Sequence, residues 1–197
     1  MNLYIWLVIA YLIGSIPFGL IIGKLFFQVD IREHGSGNSG GTNAGRVLGL
    51  RIGLLVILCD GLKALLAMIL SHIYNPGIEQ YVGLSVCVGH CFPIFAKFKG
   101  GKAVASAYGY LLGLAMYVTH EFIYTYIGPL LVFIIVLLIS KMVSLSSMIG
   151  VTSASIFISI IDYRTAILVL CLALLVIYRH GSNIKRIISG TESKISI

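Results

Sequence analysis

Apolar residues fall in seven runs along the chain, separated by short polar or glycine-rich stretches. The runs cover Leu3–Gly23, Ile52–His72, Gln80–Phe95, Lys102–Val118, Phe122–Ser140, Val143–Ile161 and Arg164–Tyr178. A spanning helix needs about 20 predominantly apolar residues, so the pattern predicts an all-α integral membrane protein, a bundle of seven transmembrane helices. The third and fourth runs are short and polar where they meet. They read either as two full crossings or as a broken, re-entrant pair. The first run has no basic stretch before it and no clear cleavage site after it, so it reads as a retained helix rather than a signal peptide.

Composition supports this picture. The chain has 197 residues, 58% hydrophobic and only 11% charged, against about a quarter charged in soluble domains. The seven runs leave no room for a second soluble domain, so residues 1–197 read as one transmembrane domain. Charge then sets the orientation. Twelve of the fourteen Lys and Arg residues lie after runs one, three, five and seven, from Lys24 to Lys194. Of the other two, Arg164 lies in an alternate loop and Lys63 inside the second run. The positive-inside rule puts the N-terminus outside and the C-terminus in the cytoplasm. Topology and anionic headgroups account for the net charge of +7, so no nucleic-acid partner is inferred.

Candidate chemistry sits in three polar segments that this topology gathers on the cytoplasmic face. His34–Arg46 is dense in glycine, hydroxyl and amide residues. Glycines allow backbone N–H groups to turn toward an anion. Ser36, Gly37, Asn38, Thr42 and Asn43 add donors, and Arg46 offers a two-pronged contact to phosphate. The blander reading is a flexible polar linker. In Gly89–Ala105, the triplet Gly100, Gly101 and Lys102 stands directly before a helical run, where free N–H groups and the helix dipole suit phosphate. The Walker spacing is absent, and His90 reads as a structural histidine near a helix end.

In Tyr178–Lys194, His180 and Asn183 are spaced to share a helical face, and His180 is the natural acid–base candidate. Glu192 is an isolated acid in a basic tail, read as structural through a tie to an arginine. Ser144, Ser146 and Ser147 open the sixth run, where they cap a helix or, for Ser144, reach a ligand. Asp60 and Lys63 are spaced to pair within the second run, which lowers the cost of burying them. The cysteines read as small apolar residues, and no metal site or cofactor is inferred.

Taken together, Gly35–Arg46, Gly89–Ala105 and Arg179–Lys194 resemble the acyl-phosphate:glycerol-3-phosphate acyltransferase family, PlsY. Gly14–Gly19 and the Asp60, Lys63 pair look like the family too, so the resemblance runs from end to end. It implies a multi-pass enzyme of the bacterial cytoplasmic (inner) membrane, with its active site on the cytoplasmic face. Such an enzyme catalyses the first acylation step of phospholipid synthesis. It moves a fatty acyl group from acyl phosphate to the 1-hydroxyl of sn-glycerol 3-phosphate, giving lysophosphatidic acid and inorganic phosphate. No acyl-enzyme is expected. The catalytic set would be His180, Asn183, Ser36 and Arg46. Ser36, Gly37, Asn38, Thr42, Asn43 and Arg46 would hold acyl phosphate. Gly100, Gly101, Lys102, Ser144, His180 and Asn183 would hold glycerol 3-phosphate. Partners would be the two substrates, membrane lipid and the enzyme that produces acyl phosphate.

The His-x-x-x-x-Asp motif of many glycerolipid acyltransferases is absent, because the residues five after each histidine are Ser39, Gly77, Phe95, Thr125 and Lys185. A transporter for a phosphorylated solute is the alternative from another class. It would place its polar sites near the membrane midplane, often within inverted repeats, and neither is visible in the sequence. A non-catalytic lipid-binding assembly factor is a third reading.

Overall fold

Asn2 caps the first helix, its side chain accepting from the Tyr4 N–H, and α1 runs from Leu3 to Gly14. The chain then breaks at Ser15–Pro17 and resumes as α2, Phe18–Phe27. The expected single helix Leu3–Gly23 is therefore corrected to two. Pro17 has no N–H to give the preceding turn, and a proline inside a helix breaks or kinks it. The two halves still form one apolar stretch, Leu3–Phe27, long enough to cross a membrane.

The computed structural model describes residues 2–195, all helix or connecting segment, with no strand among them. The chain divides into two compact units, Met1–Gly113 and Leu114–Ile197. In the first, α1 and α2 are followed by a 3-10 turn (Ile31–Glu33), α3 (Gly41–Leu48), α4 (Leu50–Tyr74), α5 (Glu79–Cys91), a second 3-10 turn (Ile94–Ala96) and the start of α6 (Val104–Tyr117). In the second, the end of α6 leads to a π turn (Ile123–Ile127), α7 (Gly128–Ser140), α8 (Val143–Ser159), α9 (Tyr163–Arg179) and α10 (Gly181–Ile188).

The burial pattern is that of a membrane protein. On α4, Leu54, Leu58, Leu62, Leu66 and Leu70 form an exposed stripe at helical spacing. The opposite face buries Asp60, Lys63 and Ser71 with Val56, Ala64, Ala67 and Met68. A soluble helix would do the reverse. On α7 only Pro129 is buried, while Leu131, Ile135, Leu138 and Ile139 face outward. This is a multi-pass integral membrane protein. Close helix approach uses small residues, as in other membrane bundles. Between α4 and α6, a side chain on Gly109 would run into the Gly61 backbone.

Among the described residues, three helical stretches are long and apolar enough to cross alone: Leu3–Phe27, Leu50–Tyr74 and Ile123–Ser140. A fourth is added if α9 and α10, bent by 62° at their junction, count as one. The helices over the third and fourth apolar runs are shorter than expected. α5 ends at Cys91, two residues before Pro93, and its 13 residues span only about 20 Å at about 1.5 Å per residue. α6 begins at Val104 rather than Lys102, because Ala103 takes a left-handed φ of 58°.

Candidate active site

The first polar segment is half turn and half helix. Its expected loop, His34–Arg46, is corrected from Gly41 onward, where α3 begins. Asp30 opens the segment by accepting from the Arg32 N–H, and it also pairs with the Arg32 guanidinium at 2.7 Å and with Lys24 at 3.2 Å. The Arg32 hydrogen bond holds its carboxyl well below the ordinary aspartate value, against a smaller upward push from burial. Left-handed turns at Gly35 (φ 61°) and Gly37 (φ 70°) then fold the chain back toward α3.

Asn43 holds this fold together. Its Nδ2 donates to the carbonyls of Ile31 (2.7 Å), Asn38 (2.9 Å) and His34 (3.1 Å), and its Oδ1 accepts from the Ser36 N–H (2.7 Å) and Oγ (3.1 Å). It is buried. The expectation that Asn43 donates to a ligand is therefore corrected, because its amide is spent on its own chain. Asn38 Oδ1 likewise accepts from the Gly40 N–H. The residues left facing outward are Ser36, Gly37, Thr42 and Arg46, the last two one helical turn apart on α3. Removing the Asn43 amide orphans several buried groups at about 1–3 kcal/mol each. We expect Asn43→Ala to raise the KM for the ligand of this segment about tenfold and to lower Tm in detergent.

The second segment turns tightly off the end of α5. Pro93 opens the 3-10 turn, and Lys97, Phe98 and Ala103 take left-handed φ angles of 54°, 59° and 58°. Such angles are costly for residues with a Cβ and persist only where the surroundings enforce them. The Gly101 N–H donates to the His90 carbonyl at 3.1 Å. Gly100 is wedged against the carbonyls of His90 and Cys91 and the Pro93 ring. Lys102 is half-buried just beyond, on the non-helical backbone before α6. In α4, Asp60 and Lys63 pair at 2.9 Å.

The second unit gathers its polar residues around Glu192. The buried carboxylate accepts from Ser144 Oγ (2.7 Å) and Asn183 Nδ2 (2.6 Å) at Oε1, and from Arg186 Nε (2.7 Å) at Oε2. Burial pushes the Glu192 carboxyl up, but these three hydrogen bonds and the Arg186 charge outweigh it and leave it below the ordinary glutamate value. Ser144 thus anchors to Glu192 from the first turn of α8. Ser146 and Ser147 return their hydroxyls to the carbonyls of Met142 and Val143. His180 is buried at the α9–α10 junction and serves as C-cap of one helix and N-cap of the other. Its Nδ1 lies 2.8 Å from the Val176 carbonyl. A carbonyl only accepts, so Nδ1 carries a proton and donates, which fixes the plane of the ring.

Within the first unit, then, Ser36, Asn38 and Asn43 come together, and Gly100 and Gly101 pack on His90. Within the second, Ser144, Asn183 and Glu192 come together, and His180 sits at the start of the helix that carries Asn183. Sequence reasoning missed the contact of Lys63 with His90. It also assigned Asn43 to a ligand when its place as the third residue of α3, seven residues after Ser36, lets it bind back across its own turn. Among the described residues, no group of three His, Cys, Asp or Glu side chains is arranged to hold a metal ion.

Fold and site define a class: a multi-pass helical membrane protein whose polar chemistry is concentrated at helix breaks and helix ends. Comparison with known proteins narrows it. Residues 4–190 match the family model described as glycerol-3-phosphate acyltransferase. The chain is 44% identical over 201 residues to the glycerol-3-phosphate acyltransferase of Listeria monocytogenes, covering 98% of this chain and 97% of the relative. It is 48% identical over 191 residues to that of Bacillus subtilis, covering 96% and 95%. Crystal structures of PlsY, an integral membrane glycerol 3-phosphate acyltransferase, superpose with a TM-score of 0.89 for the glycerol 3-phosphate form and 0.86 for the lysophosphatidic acid form. Both are 33% identical to this chain, cover 98% of it, and are themselves covered to 96% and 95%. The chain belongs to the glycerol-3-phosphate acyltransferase family.

Proposed function

We propose that this protein transfers a fatty acyl group from acyl phosphate to the 1-hydroxyl of sn-glycerol 3-phosphate, releasing lysophosphatidic acid and inorganic phosphate. The observation that carries the reading is the anchoring of His180 and Asn183, a buried imidazole held through Nδ1 by the Val176 carbonyl and an asparagine three residues on fixed by Glu192. The crystallised relative's glycerol 3-phosphate and lysophosphatidic acid forms support the substrate and product.

The transfer is direct. The glycerol oxygen attacks the acyl carbonyl, the new ester C–O bond forms, and the C–O bond to phosphate breaks. The hydroxyl proton goes to His180 Nε2 or to a phosphate oxygen of the donor, and phosphate leaves. Ser36, Gly37, Asn38, Thr42 and Arg46 hold the acyl-phosphate head, with Asn43 shaping their turn, and their donors stabilise the developing negative charge. Gly100, Gly101 and Lys102 hold the phosphate of glycerol 3-phosphate, while Ser144, its hydroxyl given to Glu192, helps to fix Asn183. His180 and Asn183 orient the hydroxyl, and Asp60, Lys63 and Glu192 have structural roles.

In this reading, residues 1–197 work as one catalytic domain with seven crossings, N-terminus outside and C-terminus cytoplasmic. The site opens to the cytoplasm of a bacterial inner membrane, where it meets soluble glycerol 3-phosphate and the enzyme that produces acyl phosphate. The exposed apolar faces of α4 and α7 support the crossings. The test is purified protein with palmitoyl phosphate and glycerol 3-phosphate, with phosphate release followed in chelator. Lysophosphatidic acid formed one-for-one with phosphate is expected. Uptake of the phosphorylated solute into sealed vesicles without acyl transfer would replace this reading with a transporter.

A further inference from the structure

Asp60, Lys63 and His90 are all buried, with exposures of 2%, 4% and 8%, and the reaction above uses none of them directly. Ionisable side chains within a membrane helix are costly and seldom idle. Lys63 Nζ lies 2.9 Å from Asp60 Oδ1, as an ion pair without hydrogen-bond directionality. It is also 2.9 Å from His90 Nδ1 and donates to the Ile16 carbonyl at 3.0 Å, in the break between α1 and α2. His90 Nδ1 also lies 3.4 Å from Asp60 Oδ1, so both members of the ion pair meet the ring at one nitrogen and fix its angle. The Nε2 edge faces Gly101, where a methyl group would collide with Nε2, Cε1 and Cδ2 of the ring. The His90 carbonyl holds the Gly101 N–H. The turn thus rests on His90 through both backbone and ring, and three left-handed non-glycine residues, Lys97, Phe98 and Ala103, show that the turn is held rather than relaxed.

We infer that Asp60, Lys63 and His90 form a positioning triad that sets the shape of the Gly100–Gly101–Lys102 turn for the phosphate of glycerol 3-phosphate. His90 is the member that touches the turn. Lys63 and Asp60 hold the ring's angle at Nδ1, and Asp60 balances the Lys63 charge. This rests on the proposed assignment of the turn to that substrate. It goes further by naming residues that select one substrate's affinity without touching it.

The test uses the full-length protein in detergent, with both KM values and kcat measured for His90→Ala, His90→Asn, Gly101→Ala and the double variant. His90→Ala should raise the KM for glycerol 3-phosphate about tenfold and leave the acyl-phosphate KM and kcat within about twofold. His90→Asn places an amide oxygen near the Nδ1 position, where it accepts from Lys63, and should recover part of the loss. Gly101→Ala should raise the same KM. The double variant should be no worse than the poorer single, because the ring that the new methyl would strike is gone. If His90→Ala does not fold, the KM split of His90→Asn and Gly101→Ala decides.

An unchanged glycerol 3-phosphate KM, equal changes in both KM values, or multiplying effects of His90→Ala and Gly101→Ala would overturn the triad while leaving the activity intact. Wild-type protein that makes no lysophosphatidic acid would remove the proposed activity and, with it, this inference.

Discussion

Replacing His180 by alanine is expected to lower kcat by ~10²–10⁴-fold, the usual contribution of a positioned general base. The KM for glycerol 3-phosphate should change far less, because Lys102 and the glycine turn still hold its phosphate. With Nδ1 donating to the Val176 carbonyl, the ring cannot rotate freely without losing a buried hydrogen bond. Its orientation toward the substrate is therefore fixed. Steady-state kinetics at saturating substrates decide the matter, and turnover close to wild type would assign the proton to the departing phosphate instead.

Glu192→Ala should cost nearly as much by a different route. It removes the acceptor of Ser144 Oγ and Asn183 Nδ2, two buried donors that would each lose about 1–3 kcal/mol. Arg186 is 36% exposed and loses little. Activity should fall by about a hundredfold as both residues lose their orientation. The same carboxylate gives a pH signature. Its folded-state value lies below the ordinary 4.5, so its contribution to stability is fully present above that pH and is lost as pH falls through the lower folded value. Tm measured from neutral to acid pH should show this loss in wild type. Glu192→Gln should reduce it, leaving the share that comes from Asp30.

Much of this protein is legible from its residues, and the parts that are not have identifiable reasons. The apolar run Ile52–His72 became α4, Leu50–Tyr74, and Val143–Ile161 became α8, Val143–Ser159, because long uninterrupted runs leave the backbone no competing arrangement. The shortening of α5 and α6 was harder to see. Pro93 marks one end, but the left-handed Ala103 depends on a fold-back against His90 that local propensity does not encode. All three polar segments could be picked out by composition. Which of their side chains face outward could not, because Asn43 and Thr42 are adjacent, similar in chemistry and opposite in fate. One is consumed by its own turn and the other is exposed. The two histidines differ for the same reason. Only their neighbours, a carbonyl for His180 and the Lys63–Asp60 pair for His90, decide how each ring is held.

The pair buried in α4 also bears on how the chain is made. On the insertion scale, Asp and Lys at the centre of a segment each oppose entry into the bilayer by about 2.5–3.5 kcal/mol. Lys63 finds the Ile16 carbonyl in the break between α1 and α2, which precedes α4 in the chain, whereas His90 follows it. The partners that offset this cost therefore come from chain made both before and after α4, and the set around Lys63 is complete only once α5 is in place.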